Sequence, residues 1–230
     1  MTIRRAIVVA DGDAPSRADL DAAWPGWADG VDLVVAADGG ARTAAALGLR
    51  INAWVGDGDS LDAGTMDDLR RAGLPIDLAP ADKDESDAEL ALLEAIRAGA
   101  GDVTILGALG GPRFDHAIAN VTLLAHPATA GIEVRLMDGR TRVRLLSAPA
   151  PGGRAVRLDL GGRVGDLVSL LPLEDAAGVS TSGLRYQLEE AALPAGPARG
   201  LSNVRVASNA EVRLRRGRIL VLELPATLAP

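Results

Sequence analysis

The sequence predicts an α/β domain followed by an all-β domain, and three observations carry that expectation. Across the first 140 residues, short apolar runs alternate with stretches of helical periodicity, the pattern of βαβ units around a parallel sheet. The runs are continuous, as in Val31-Asp32-Leu33-Val34-Val35-Ala36-Ala37, which suits strands covered by helices on both faces. Beyond Arg140 the apolar period falls to two, interrupted by Pro149, Pro151 and the pairs Gly152-Gly153 and Gly161-Gly162. Period two with glycine turns marks antiparallel strands. The expected division is therefore an α/β domain over residues 1–140 and an all-β, sandwich-like domain over 141–230.

Taken in order, strands are expected at 5–10, 31–37, 51–55, 75–79, 102–106 and 132–137. Helices fall between them, at about 40–47, 62–72, 86–98 and 114–125. Ser86 with Glu89 three residues on has the form of a capping box, which sets the start of the third helix. In the second domain, Arg142-Val143-Arg144-Leu145, Ala155-Val156-Arg157-Leu158, Val204-Arg205-Val206, Val212-Arg213-Leu214 and Ile219-Leu220-Val221-Leu222 read as strands. Residues 182–200, with Pro194, Gly196 and Pro197, read as a long connection.

The chain has 230 residues, 48% of them hydrophobic and 24% charged, the balance of a globular protein with an ample core. Aromatic residues make up only 2%, so Val, Leu, Ile and Ala must fill that core. The absence of cysteine excludes disulfides and thiolate metal sites. The first apolar run, Ala6–Ala10, is shorter than the roughly 7–15 residues of a signal peptide or the about 20 of a membrane helix. A cytoplasmic protein with no membrane partner is the expectation.

Net charge is −7, with 23 acidic and 12 basic residues in 1–140 and 8 acidic and 12 basic residues in 141–230. The acidic first domain argues against nucleic acid as a ligand, because phosphate backbones require a basic surface. A small phosphate compound remains compatible if divalent cations bridge it. Of the 24 basic residues only Lys83 is lysine, and it lies within an acidic cluster.

Four motifs fall in loops that follow strands, where open α/β sheets bind ligands. Asp38-Gly39-Gly40 follows the strand 31–37; its glycines admit a ligand to the backbone, although taken alone Asp38 reads first as a helix cap. Gly56-Asp57-Gly58-Asp59-Ser60 crowds two carboxylates into a flexible loop, a cost that a bound cation would remove. Such a loop supplies the incomplete oxygen site that Mg2+ prefers, completed by water and substrate phosphates. Asp82-Lys83-Asp84-Glu85-Ser86-Asp87 opens a helix, where acids also stabilise the dipole; Ser86, Asp87 and the helix N-terminus could together hold phosphate and metal. Gly107 to His116 is rich in glycine and contains Arg113, which can grip phosphate bidentately. Asp115 belongs with Arg113, His116 reads as a surface residue, and Asn120 lies one turn further along the same helix face. Two histidines make a histidine zinc site implausible, and no Gly-x-Ser-x-Gly elbow or Walker loop is present.

Together the four resemble the motif series of thiamine pyrophosphokinases. The matching residues are Asp38-Gly39-Gly40, Gly56-Asp57-Gly58-Asp59-Ser60, Lys83-Asp84-x-Ser86-Asp87 and Gly110-Gly111-Pro112-Arg113-Phe114-Asp115-His116. Thr181 to Leu188 and Gly200-Leu201-Ser202-Asn203 resemble the thiamine-contacting segments of the same family. The resemblance extends over residues 31–224. Two departures are present: Pro112 interrupts the usual Gly-Gly-Arg, and Ser86 stands where threonine is common. Neither removes a functional group.

The resemblance implies an enzyme that moves the pyrophosphoryl group of ATP onto the hydroxyl of thiamine and releases AMP. It further implies a homodimer with shared active sites. Carried over by residue, Asp38, Asp57, Asp59 and Asp87 would bind Mg2+. Lys83, Ser86, Arg113 and Asp115 would contact or position ATP. Tyr186, Ser202 and Asn203 would hold thiamine, with a cation–π contact from the tyrosine. Asp57, Asp59, Asp87, Arg113 and Asp115 would form the catalytic group. The same nucleotide half would serve a pyrophosphokinase for another alcohol, such as a pterin, or a non-catalytic nucleotide-binding module. The segments around Tyr186 and Ser202-Asn203 favour thiamine.

Overall fold

The computed structural model describes the chain except for residues 1–3, 59, 60, 62, 72, 79, 81, 149–153 and 227–230. It divides into two units, residues 1–139 and 140–230.

The first unit is built from β1 (Arg4–Val9), α1 (Arg17–Ala23), β2 (Val31–Ala37), α2 (Gly40–Ala46), β3 (Ala53–Gly56) and α3 (Ala63–Arg71). It continues through β4 (Ile76–Leu78), α4 (Asp87–Arg97), β5 (Ala100–Leu106), α5 (Phe114–Thr122) and β6 (Glu133–Met137). The six strands pair in parallel in the order β4-β3-β2-β1-β5-β6. Ile7, Val8 and Val9 of the central β1 are fully buried, which is why its apolar run is unbroken.

All three tryptophans are buried in this unit, so they belong to its core. Trp24 and Trp27 pack with Ile7, Val9, Leu20 and Leu106, and Trp54 packs with Ala36, Met66 and Leu69. Each indole N–H finds an acceptor, as buried indoles require: Asp138 O at 2.7 Å, Asp21 Oδ1 at 2.8 Å and Asp38 O at 2.9 Å. Helix α1 lies outside the sequence expectation. It is seven residues long with only Leu20 and Ala23 buried, too little apolar pattern to register as a period. Its Ser16 cap accepts from Asp19 N at 3.0 Å. Helix α4 starts at the Ser86 cap, with Ser86 Oγ accepting from Glu89 N at 3.2 Å.

The second unit contains β7 (Arg142–Ala148), β8 (Val156–Asp159), β9 (Leu167–Pro172), β10 (Ala176–Ser182), β11 (Ala191–Leu193), β12 (Asn203–Val204), β13 (Glu211–Leu214) and β14 (Gly217–Leu224). Their pairings are all antiparallel, in the orders β12-β9-β14-β7 and β11-β10-β13-β8. Both sheets contribute to one core, with Leu146, Leu170 and Val221 from one and Val179, Val212 and Leu214 from the other. That is a sandwich.

One sequence expectation is corrected here. Residues 182–200 are not one connection, since β11 lies within them. Arg205 is 4% exposed. Its guanidinium donates to the carbonyls of Leu160, Gly161, Ala207 and Ser208, which satisfies a charge that would otherwise be costly to bury. Glu223, 2% exposed, is the acidic counterpart. It accepts from Arg142 (2.8 and 2.9 Å), Arg144 (2.7 and 3.1 Å) and Gly161 N (2.8 Å). Among the described residues no helix is long and apolar enough to cross a membrane.

Candidate active site

The chain runs outward from β1 through β2, β3 and β4, then returns to place β5 on the other side of β1. The loops after β1 and β5 therefore part in opposite directions, and a crevice opens at the carboxyl ends of the strands. A cavity of about 360 Å³ occupies it. Its walls are Ala10, Asp11 and Gly12 after β1, Ala37 and Asp38 after β2, Ser86 to Ala88 at the start of α4, and Gly107 with Gly110 to Arg113 after β5. His116 and Asn120 of α5 complete the lining.

The loops meet backbone to backbone. A Cβ on Gly12 would fall 2.3 Å from Gly107 O and 2.6 Å from Gly110 O, and Gly12 N donates to Gly107 O at 2.9 Å. On the other side, a Cβ on Gly39 would lie 2.1 Å from Asp11 Oδ1. Glycine is required at Gly12, where the obstacles are backbone oxygens, whereas at Gly39 the Asp11 carboxylate would have to move aside.

Asp38 sits at the end of β2 with φ 48°, a left-handed conformation that Asp adopts more readily than most residues but still at a cost. Asp38 N donates to Val55 O at 2.8 Å, and the Asp38 carbonyl accepts the Trp54 indole. Its carboxylate is buried, and the N-cap of α2 is Gly39, so the helix-cap alternative for Asp38 falls. Lys83 Nζ lies 2.7 Å from Asp87 Oδ1, and the lysine side chain is only 12% exposed. Burial pulls the Lys83 pKa down. The Asp87 hydrogen bond and the charges of Asp87, Asp57 and Asp38 pull it up, and the net direction is upward. One ammonium thus feels three of the predicted carboxylates at once. Asp57 is half-buried in the loop after β3; Asp59 and Ser60 lie outside the described residues.

Ser86 is committed to capping α4, with the N-terminus of that helix on the cavity wall. Arg113 lines the cavity and grips Asp115 with both ends of its fork, at 2.9 and 2.6 Å. That hydrogen bond holds the Asp115 carboxyl down at about 2, although the pair is exposed. Asp115 itself is not on the cavity wall.

Sequence reasoning missed two contributions. The Asp11-Gly12-Asp13 loop was passed over, although an Asp-Gly pair directly after a predicted strand was the available signal. His116, read as an ordinary surface residue, lines the cavity together with Asn120; their spacing of four on one helix was the clue.

Among the described residues no three acidic or histidine groups converge on one metal position. The donor set still fits Mg2+, which takes one or two carboxylates and completes its shell with water and phosphate oxygens. Asp38, Asp57 and Asp87 are hard oxygen donors, and such a set suits that ion rather than a soft one.

In the second unit, Asn203 is buried and both ends of its amide are engaged. Oδ1 accepts from Tyr186 N (3.0 Å) and Val204 N (2.9 Å), and Nδ2 donates to Tyr186 O (2.7 Å). This clamp presents the Tyr186 ring 66% exposed. Ser202, with φ 56°, donates its N–H to Ser169 Oγ at 3.1 Å.

A doubly wound domain with an acidic, glycine-walled crevice at its switch point, followed by a β-sandwich, is the architecture of a family of kinase-type transferases. The family model described as "Thiamin pyrophosphokinase, catalytic domain" matches residues 27–136, and "Thiamin pyrophosphokinase, vitamin B1 binding domain" matches 155–219. A thiamine pyrophosphokinase of Bacillus subtilis (strain 168) is 25% identical over 198 residues, 86% of this chain and 89% of that protein. The fold is shared with the crystal structure of thiamine pyrophosphokinase from Bacillus subtilis (TM-score 0.81, 23% identity, 96% of this chain and 99% of that one). It is shared too with that of the thiamin pyrophosphokinase from Geobacillus thermodenitrificans (TM-score 0.76, 26% identity, 96% and 97% covered). The chain belongs to the thiamin pyrophosphokinase family and is, by class of enzyme, a thiamine diphosphokinase. The pterin and non-catalytic alternatives are not favoured.

Proposed function

We propose that this enzyme takes ATP and Mg2+ in the crevice of the first unit and acts on thiamine as a cytoplasmic homodimer with shared active sites. The observation that carries the reading is that Asp38 and Asp87, the latter held by Lys83 at 2.7 Å, line one cavity at the end of a parallel sheet, with Asp57 close enough for Lys83 to feel its charge. A cluster this acidic repels a triphosphate on its own, so the ligand must enter with a cation. Bound Mg2+ would supply charge neutralisation and orientation of phosphate oxygens. Asp38, Asp57, Asp87 and Asp59 are the residues that would hold it.

In the transfer, the thiamine hydroxyl oxygen gives up its proton to solvent and bonds to the β-phosphorus of ATP. The bond from that phosphorus to the oxygen bridging the α-phosphate breaks, and AMP leaves with that oxygen. The protein contributes positioning and electrostatics rather than a covalent nucleophile. Lys83 holds Asp87 in place and offers an ammonium to phosphate. The N-terminus of α4, capped by Ser86, offers unpaired N–H groups to the same anion. Arg113 reaches phosphate when it exchanges its Asp115 partner for a phosphoryl oxygen. Tyr186 packs on the cationic ring of thiamine, Asn203 fixes the Tyr186 backbone, and Ser202 stands beside that clamp.

Product analysis by mass with ATP, Mg2+ and thiamine tests the reaction. Thiamine diphosphate and AMP are expected; ADP in place of AMP, or no thiamine diphosphate, would overturn it. For the dimer, Asp57→Ala and Tyr186→Ala should each be inactive alone and regain activity when mixed subunits exchange. Exchange without recovery would count against shared sites.

A further inference from the structure

We infer that Asn120 is the residue that selects the base of the nucleotide, by reading an exocyclic amino group. The inference rests on the proposal that the crevice takes ATP. The cavity lining carries two kinds of group. Asp38 and Asp87 are acidic, with Lys83 against Asp87. Asn120 of α5, with Ala10, Gly12 and Gly107, offers an amide and small residues. Phosphates with their cation belong with the acids and Arg113. A flat heteroaromatic ring belongs with the amide and the small residues.

Asn120 Nδ2 donates to Ala108 O at 3.2 Å. A carbonyl only accepts, so chemistry alone fixes the orientation of this amide: nitrogen towards Ala108, leaving Oδ1 and the second N–H. Among the described residues no hydrogen bond to Oδ1 is present. An acceptor beside a donor is the complement of adenine, whose exocyclic amine donates next to a ring nitrogen that accepts. Hypoxanthine is nearly the same size and carries an oxygen in place of that amine. It would set two acceptors against each other and leave a hydrogen bond unmade. Asn120 is thus a specificity residue, held in one orientation by the backbone of the loop after β5.

The test is equilibrium binding of ATP and of ITP to the full chain in Mg2+ buffer, without thiamine, by calorimetry. The wild-type protein should bind ITP about tenfold more weakly, the usual cost of one such mismatch. Asn120→Leu should weaken ATP by about the same factor, leave ITP unchanged and bring the ratio to about one. Equal binding of ATP and ITP by the wild-type protein would overturn the assignment even if the variant fails to fold. Failure of ATP to bind at all would instead remove the nucleotide reading of the crevice. Thiamine also carries an amino group on a nitrogen heterocycle, so thiamine and its 4′-oxo analogue form the second arm. If Asn120→Leu erased discrimination between those two and left the ATP-to-ITP ratio intact, the amino group read would be that of the acceptor, and the nucleotide assignment would fall.

Discussion

Adding a single methyl group to Gly12 tests whether the loops around the crevice form one rigid cradle. The Cβ of Gly12→Ala would stand 2.3 Å from Gly107 O and 2.6 Å from Gly110 O, where Cβ atoms in proteins do not approach closer than 3.0 Å. Both obstacles are backbone oxygens of one loop, so no rotamer change relieves the clash. The loop after β5 must retreat by about 1 Å, and it carries Arg113 on the cavity wall. Overpacking of this kind costs about 1–3 kcal/mol, and a displacement of about 1 Å at a reacting group can lower the rate roughly 100-fold. Urea unfolding followed by tryptophan fluorescence reads the first effect, because all three indoles are buried in the first unit. Initial rates of thiamine diphosphate formation read the second. Gly131→Ala is the control: it has φ +78° and no atom within 4 Å of the added Cβ. It should cost about 1–2 kcal/mol from its left-handed backbone and leave the rate unchanged. A Gly12→Ala protein with the wild-type rate, and no less stable than Gly131→Ala, would refute the cradle.

Three further outcomes follow from single contacts. Asn203→Ala removes all three hydrogen bonds that fix Tyr186 and Val204; KM for thiamine should rise about tenfold with KM for ATP unchanged, as steady-state kinetics in both substrates would show. Glu223→Gln strips the counter-charge from Arg142 and Arg144 and should cost about 3–5 kcal/mol in urea unfolding, with kcat per folded molecule preserved. The depressed Asp115 pKa of about 2 means that its pairing with Arg113 contributes stability above the unfolded value near 3.8 and loses it as pH falls through about 2. Carboxyl NMR should show Asp115 ionised throughout pH 4–9, and a midpoint near 4 would show that the pair is not formed.

Much of the first unit was legible because its strands are buried on both faces. A strand such as β2 at Val31–Ala37 writes its burial as an unbroken apolar run, and Ser86 with Glu89 writes the start of α4 as a cap. Helix α1 writes almost nothing, since a seven-residue helix that buries two side chains has no period to detect. In the sandwich, alternation placed the strands but could not show the burial of Arg205, because a guanidinium satisfied by four carbonyls looks, in sequence, like any outward-facing arginine. The site was legible as a set of loops, because glycine and aspartate at strand ends are visible one at a time. Which side chains share a cavity depends on strand order, and that is why Asp11, on the loop after β1, and His116 were misjudged. Asp59, the second carboxylate of its loop, lies outside the described residues.

Lys83 shows how far charge and packing together constrain one position. Every other basic residue in the chain is arginine, yet here a lysine 12% exposed reaches Asp87 at 2.7 Å and feels Asp57 and Asp38. A guanidinium would also neutralise these carboxylates, so Lys83→Arg should keep stability within about 1 kcal/mol, as charge-preserving changes do. It is, however, planar, larger and bound to a fixed fork of donors, whereas an ammonium is a compact point charge on a flexible stem. The Lys83 side chain is only 12% exposed and Asp87 lines the cavity, so a larger group there would intrude on the space proposed for phosphate. The rate of thiamine diphosphate formation should fall at least about tenfold while the unfolding midpoint hardly moves. Wild-type activity in Lys83→Arg would mean that only the sign of the charge matters there, and the argument from shape would fail.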